Sequence, residues 1–119
     1  MQVAGLEVTA FGVPHSPGTA ATALRVVGDG KTVGYSGDAG WTEALVEVAA
    51  DADVFICGLM TFDEPDPTFL DYRTLAAHRR RLTCRRLVLT HLGASVLEHL
   101  PELAAAGAEI AEDGLTLQV

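Results

Sequence analysis

The sequence predicts an α/β domain built on one mixed β-sheet covered by helices. Three observations carry this. Runs of strand-forming residues fill the first third of the chain. From Trp41 onward such runs alternate with segments whose apolar residues recur at three- and four-residue steps, and two of the later runs, Val54 to Cys57 and Arg86 to Thr90, read as buried strands. Strands first and strand-helix alternation afterwards is the order of a mixed sheet with helices packed on it. With 119 residues the chain is one domain, residues 1–119. A domain of that size buries roughly two-thirds of its unfolded surface, enough for a core without disulfides.

Val3 to Val13 reads as a strand, with Leu6, Val8, Ala10 and Val13 interleaved along it, and Pro14 stops it. His15 to Ala21 is rich in Ser, Pro, Gly and Thr and reads as a loop. Thr22 to Val27 and Thr32 to Tyr35 are strands joined through Gly28-Asp29-Gly30-Lys31, where Asp-Gly between β-rich runs signals a hairpin. Trp41, Ala44, Leu45, Val48 and Ala49 line one face of a helix of about three turns. Thr61 to Thr68, with two prolines and three acids, is an irregular loop. Tyr72, Leu75, Ala76 and Leu82 mark a second helix. Beyond Thr90 the sequence predicts a short helix opened by Pro101 and ended near Gly107, a strand at Ala108 to Ala111, an Asp113-Gly114 turn and a closing strand at Leu115 to Val119.

Composition sets bounds on function. Apolar residues make up 49% and charged residues 20%, values typical of globular proteins. The net charge of −8 argues against a broad nucleic-acid surface, which needs clustered Lys and Arg. Five of the eight basic residues do cluster, at Arg79, Arg80, Arg81, Arg85 and Arg86, where they suit a solvated helix C-terminus. Cys57 and Cys84 form no CxxC pair and read as free thiols of a reducing cytoplasm. No signal peptide is visible, and no apolar run approaches the ~20 residues of a membrane span.

Three short segments carry the chemistry: Val13-Pro14-His15, Tyr35-Ser36-Gly37-Asp38 and Leu87-Val88-Leu89-Thr90-His91. Each delivers a metal-competent side chain at a strand end, where loops on a rigid sheet place functional groups. Zinc favours imidazole nitrogen and carboxylate oxygen, so His15, Asp38 and His91 are the candidate ligands, expected to converge on one edge of the sheet.

In this order, with Gly-Asp after one strand and Thr-His after a later one, the segments resemble the second half of the metallo-β-lactamase fold, as found in ribonuclease Z-like hydrolases. The resemblance implies half of an α/β/β/α sandwich with helices on one face of its sheet. It further implies that His15 completes the ligand set of a first zinc ion, that Asp38 bridges two zinc ions and has a catalytic role, and that His91 completes the set of the second. The family's His-x-His-x-Asp-His loop, source of four ligands, has no counterpart, so the chain offers at most two ligands to either metal. Gly58 and Phe69 stand near the positions where family members often carry a Glu and a proton-transferring His.

Other candidates have plainer readings. His78 and His99 share no face with another donor at metal-ligand spacing and read as surface residues. Asp63, Glu64, Asp66 and Asp71 lack the Gly-centred spacing of a calcium loop. Gly37-Asp38-Ala39-Gly40 lacks the Lys and Gly spacing of a phosphate cradle.

Two functions fit these residues. The chain supplies part of a dinuclear zinc site that activates water for cleavage of an ester, a phosphodiester or another small-molecule bond, its missing ligands coming from a preceding segment or an N-terminal-half partner. Alternatively it is a truncated or catalytically inactive half-domain that acts as a binding or oligomerisation module. In either case a half-sandwich leaves a sheet face bare, which predicts a homo-oligomer when the other half is absent.

Overall fold

The computed structural model describes residues 1–13 and 21–119. Seven strands form one sheet: β1 (Gln2–Val3), β2 (Leu6–Val13), β3 (Ala21–Gly28), β4 (Lys31–Tyr35), β5 (Val54–Gly58), β6 (Arg86–Thr90) and β7 (Glu109–Ile110). Their spatial order is their chain order. The first three pairings are antiparallel and the last three parallel, so the sheet is mixed as the sequence predicts.

The antiparallel part is a meander closed by tight turns. Asp29 and Gly30 both have positive φ, 51° and 71°, the backbone that a two-residue hairpin requires. A second such turn lies at Ala4 and Gly5, with φ of 51° and 82°. The run from Val3 to Val13 is therefore not one strand, because the chain reverses at Ala4-Gly5 and pairs Val3 with Leu6. Alanine seldom adopts this conformation, and the apolar run conceals the turn.

The parallel part is a series of crossovers. α1 (Ala44–Ala49) links β4 to β5, α2 (Tyr72–His78) and a 3-10 turn (Arg79–Arg81) link β5 to β6, and α3 (Ala94–Leu97) and α4 (Leu100–Ala105) link β6 to β7. Each step moves one strand in the same direction, and connections of one hand then put every helix on one face of the sheet. α1 is shorter than the three turns expected: it begins after Thr42, whose carbonyl accepts from Leu45 N, so Trp41 precedes it. Its C-terminal end has no glycine cap. Instead Arg25 on β3 reaches over and donates through Nη1 to the carbonyls of Glu47, Val48 and Ala50, at 3.3, 3.2 and 2.7 Å.

Alternation along the strands separates two faces. Phe55, Cys57, Leu87 and Leu89 point to the helices and pack with Leu45, Val48, Leu75, Val96 and Leu103, with Phe11 and Val13 of β2 at the margin. By the pairing register, Leu6, Val8, Leu24, Val26, Val33, Tyr35 and Ile56 project from the other face. No helix covers that face among the described residues; Leu6 and Tyr35 toward the β1–β4 side are 40% and 39% exposed, whereas Val54 and Val88 on the same face of β5 and β6 are buried. The expected closing strand at Leu115 to Val119 does not form. The Asp113-Gly114 turn is present, with Leu115 N donating to the Glu112 carbonyl, but β7 is an edge strand of two residues and offers too short a ladder for the tail to extend. The tail is tied instead by Arg86, whose Nη1 donates to the Gln118 carbonyl at 2.9 Å.

Candidate metal centre

β2 and β4 are both antiparallel to β3, and β5 and β6 are parallel to β4, so the C-terminal ends of β2, β4, β5 and β6 share one edge of the sheet. Asp38 follows β4 and His91 follows β6. The structure brings these two together: His91 Nε2 stands 3.8 Å from Asp38 Oδ1, with the side chains 50% and 43% exposed. His15 lies outside the described residues; β2, the strand that leads toward it, ends on the same edge at Val13.

A separation of 3.8 Å is too long for a hydrogen bond, which closes to about 3.2 Å or less. Two donors on one zinc ion, each at ~2.0–2.2 Å, stand no more than about 4.4 Å apart. The spacing, the oxygen and nitrogen chemistry and the solvent access therefore fit a shared ion. Among the described residues no third His, Cys, Asp or Glu joins them in a cluster.

Local backbone explains why the pair stands out from the edge. His91 has φ of +56°, in the left-handed region that side chains avoid. Such a conformation costs roughly 1–2 kcal/mol and persists only where surrounding structure enforces it. Gly37 has φ of +65°, and a Cβ there would lie 2.7 Å from the Thr22 carbonyl of β3. Only glycine passes this point, which turns the chain sharply from β4 into Asp38.

The two ligand loops share a brace. Gly40, two residues after Asp38, lies so close to the loop between β5 and α2 that a Cβ would meet the Pro67 carbonyl at 2.2 Å. Gly93, two residues after His91, abuts the Met60 carbonyl of the same loop, where a Cβ would stand 2.0 Å away. That loop is held at both ends: Met60 N donates to the Leu70 carbonyl and Tyr72 N to the Thr61 carbonyl, both at 3.0 Å. Buried Asp71 then caps α2 by accepting from Thr74 N at 3.0 Å and Thr74 Oγ1 at 2.5 Å. Asp71 thus belongs to the helix cap and not to an acidic cation site.

The remaining candidates are structural. His78 stacks on Trp41, ring centroids 3.9 Å apart, and its Nδ1 bonds the Thr74 carbonyl at 2.9 Å. His99 stacks on Phe62 at 3.7 Å and its Nδ1 bonds the Ser95 carbonyl at 2.8 Å. The sequence reads both as plain surface residues, but each ring packs on an aromatic neighbour, a contact that spacing along one helix does not reveal. Three of the five arginines in the run are engaged in pairs away from the site: Arg81 with Glu43, Arg86 with Glu109, and Arg79 with the Leu82 carbonyl. Cys57 lies beside the site, but burial pushes its thiol up to about 12, so it holds its proton at neutral pH and offers no thiolate.

Ser36 is the functional-site residue that sequence reasoning passes over, and Gly58, marked in the sequence only as a departure from the family's Glu, is its hydrogen-bond partner. Ser36 lies 1% exposed at the tip of β4; its Oγ donates to the Gly37 carbonyl at 2.7 Å and accepts from Gly58 N at 2.9 Å. A Cβ on Gly58 would stand 3.0 Å from the Gly37 carbonyl and 3.7 Å from Asp38 Oδ1. A small hydroxyl residue between a strand and a glycine is the one signal that the sequence carries.

Comparison with known proteins places this edge in context. A family profile described as a β-lactamase superfamily domain matches residues 1–92. A ribonuclease Z of Haloferax volcanii is 34% identical over 117 aligned residues, covering 86% of this chain and 37% of that protein. Among solved structures, the metallo-β-lactamase fold protein YhfI of Bacillus subtilis superposes with a TM-score of 0.84 at 18% identity, covering 99% of this chain and 52% of the other. Zinc-bound PqqB of Methylobacterium extorquens gives 0.79 at 22% identity, with coverage of 98% and 52%. The chain spans about half the length of these structures and little more than a third of the ribonuclease Z.

Proposed function

The chain belongs to the β-lactamase superfamily domain family, a family of metallo-β-lactamase fold hydrolases, and from that premise we propose that it supplies half of a dinuclear zinc site for cleavage of a phosphodiester or related ester. The observation that carries this reading is the approach of His91 to Asp38 at 3.8 Å on the edge where the strands end. Asp38 Oδ1 and His91 Nε2 are the donors, and His15 is the third that this chain contributes. Zinc held there would supply Lewis acidity, able to bring the pKa of a water to around 7. Asp38, as a half-exposed carboxylate, would orient that water and take part in its deprotonation. His91, held by its constrained backbone, would keep its imidazole aimed at the same point without rearrangement. The remaining ligands come from a second half packed on the bare sheet face, supplied by another segment or another chain. The similarity to ribonuclease Z favours phosphodiesters among the ester classes.

The test is a zinc titration of the chain by calorimetry, beside Asp38→Asn and His91→Ala. Weak binding that both substitutions remove is the expected result, with phosphodiester cleavage rising only when the N-terminal part of the haloarchaeal relative is added. Zinc binding indifferent to both substitutions would overturn the reading. The second function, a non-catalytic module that associates through its bare face, is favoured by the exposed apolar residues there and by glycine at position 58.

A further inference from the structure

We infer that Ser36 is a positioning residue for the Asp38–His91 pair: its hydroxyl takes the place of a backbone carbonyl in the sheet ladder and so lets the chain leave β4 in the direction that presents Asp38. The inference rests on the metal-site reading above and goes beyond it, since Ser36 touches neither metal nor substrate.

The ladder between β4 and β5 shows how this works. In a parallel ladder one residue donates its N–H to the strand beside it and receives, two residues further along that neighbour, a return bond on its own carbonyl. Ser36 makes the first of these bonds, N to the Ile56 carbonyl at 2.9 Å. The return bond from Gly58 N goes to Ser36 Oγ at 2.9 Å and not to the main-chain carbonyl. The peptide after Ser36 is thereby released from the register of the sheet, and the chain rotates into the left-handed conformation of Gly37. The hydroxyl proton then closes the new geometry by donating to the Gly37 carbonyl at 2.7 Å, one peptide before Asp38. A single buried oxygen thus satisfies a donor of β5 and an acceptor of the ligand loop. Glycine at 58 completes the device, because a Cβ there would crowd the Gly37 carbonyl at 3.0 Å, in the peptide that leads into Asp38. From β5 the link continues to the other ligand: Leu59 N donates to the Thr90 carbonyl at 2.9 Å, immediately before His91.

Two substitutions separate positioning from bulk stability. Ser36→Ala leaves Gly58 N without its acceptor, and Ser36→Thr keeps the oxygen. Amide hydrogen exchange on the full chain should show Gly58 and Asp38 accelerated in Ser36→Ala at least about tenfold beyond any change shared by Phe55 and Val88 in the strand interiors, which report global stability. Zinc affinity should fall about tenfold, as for residues that orient a ligand through another group, and Ser36→Thr should restore it. Unchanged Gly58 exchange, or zinc affinity that survives once that protection is lost, overturns the inference. If Asp38→Asn in the otherwise unaltered chain leaves zinc binding intact, the metal-site reading fails, and the role of Ser36 in placing Asp38 is then decided by amide exchange alone. Should Ser36→Ala not fold, the unaltered protein decides: a slowly exchanging Ser36 hydroxyl proton and a protected Gly58 amide are required, and absence of either refutes the proposal.

Discussion

His91 Nε2 faces Asp38 Oδ1 across 3.8 Å although 53 positions separate the two residues in the chain. The imidazole reaches this place from a backbone in the left-handed region, φ +56°. Strain of that kind gives up stability to aim the side chain toward Asp38. His91→Gly is accordingly expected to be more stable than His91→Ala by about 1 kcal/mol, because only alanine keeps the steric penalty. Urea unfolding of both variants measures the difference, and equal midpoints would remove the argument from strain.

Gly37→Ala is expected to be the most damaging small substitution at the site. It meets a positive φ and the Thr22 carbonyl at once, and a loss of about 2 kcal/mol or more follows from the combined strain and clash. Zinc binding should weaken together with stability, and the loss of stability should exceed that in Ser36→Ala. Thermal unfolding and calorimetry on the same samples distinguish the two patterns.

Asp71 anchors the brace that the Asp38 and His91 loops both touch. Asp71→Ala removes the acceptor for Thr74 N and Thr74 Oγ1 in a buried setting, which should cost about 1–2 kcal/mol. Asp71→Asn, which keeps an oxygen, should recover much of that loss in the same unfolding experiment.

The bare face makes a hydrodynamic prediction. A soluble protein seldom exposes a contiguous apolar surface of more than several hundred Å². The chain alone should therefore sediment as more than a monomer. Leu6→Lys, at an exposed position of that face, should shift it to monomer while changing stability by no more than about 0.5 kcal/mol. A wild-type chain that stays monomeric at high concentration would contradict this.

Acid should weaken the β6–β7 edge. Arg86 beside Glu109 holds that carboxyl below its ordinary value of 4.5, through hydrogen bonds of 2.8 and 2.7 Å. A carboxylate with a depressed folded-state pKa stabilises the fold above its unfolded pKa and loses that contribution as pH falls through the folded value. Arg86→Met should lower stability modestly at neutral pH and converge with the unaltered protein once Glu109 is protonated, which flattens the acid limb of the stability curve below about pH 4.5. Denaturant midpoints across that range show whether it does.

Much of the fold was legible in the sequence because burial leaves a pattern. Arg86 to Thr90 is a strand with the predicted bounds, and the Asp29-Gly30 hairpin follows from residues that tolerate positive φ. What was hidden is tertiary. The Ala4-Gly5 reversal is written in apolar residues that look like continuous strand, and the expected tail strand fails because its neighbour β7 is only two residues long. At the site, Asp38 and His91 were readable as polar residues ending β-rich runs, and the structure brings them together. The Ser36 bond to Gly58 was not, since a hydroxyl's partner 22 residues away leaves no periodic trace.

The spatial order of the strands repeats their order in the chain, so each strand meets a partner that immediately precedes or follows it. Within the antiparallel meander β1–β4 no strand has to wait for a distant segment before it can pair, whereas β5, β6 and β7 pair only across helical crossovers. Loop-closure entropy is therefore smallest in the meander, which favours its early assembly. Such a unit can acquire its shape as it emerges during synthesis, ahead of any docking on its open side. The edge that carries Asp38 and His91 is then preformed, and any association of the folded unit with a second surface becomes a matter of encounter, governed by concentration and not by a shared folding pathway.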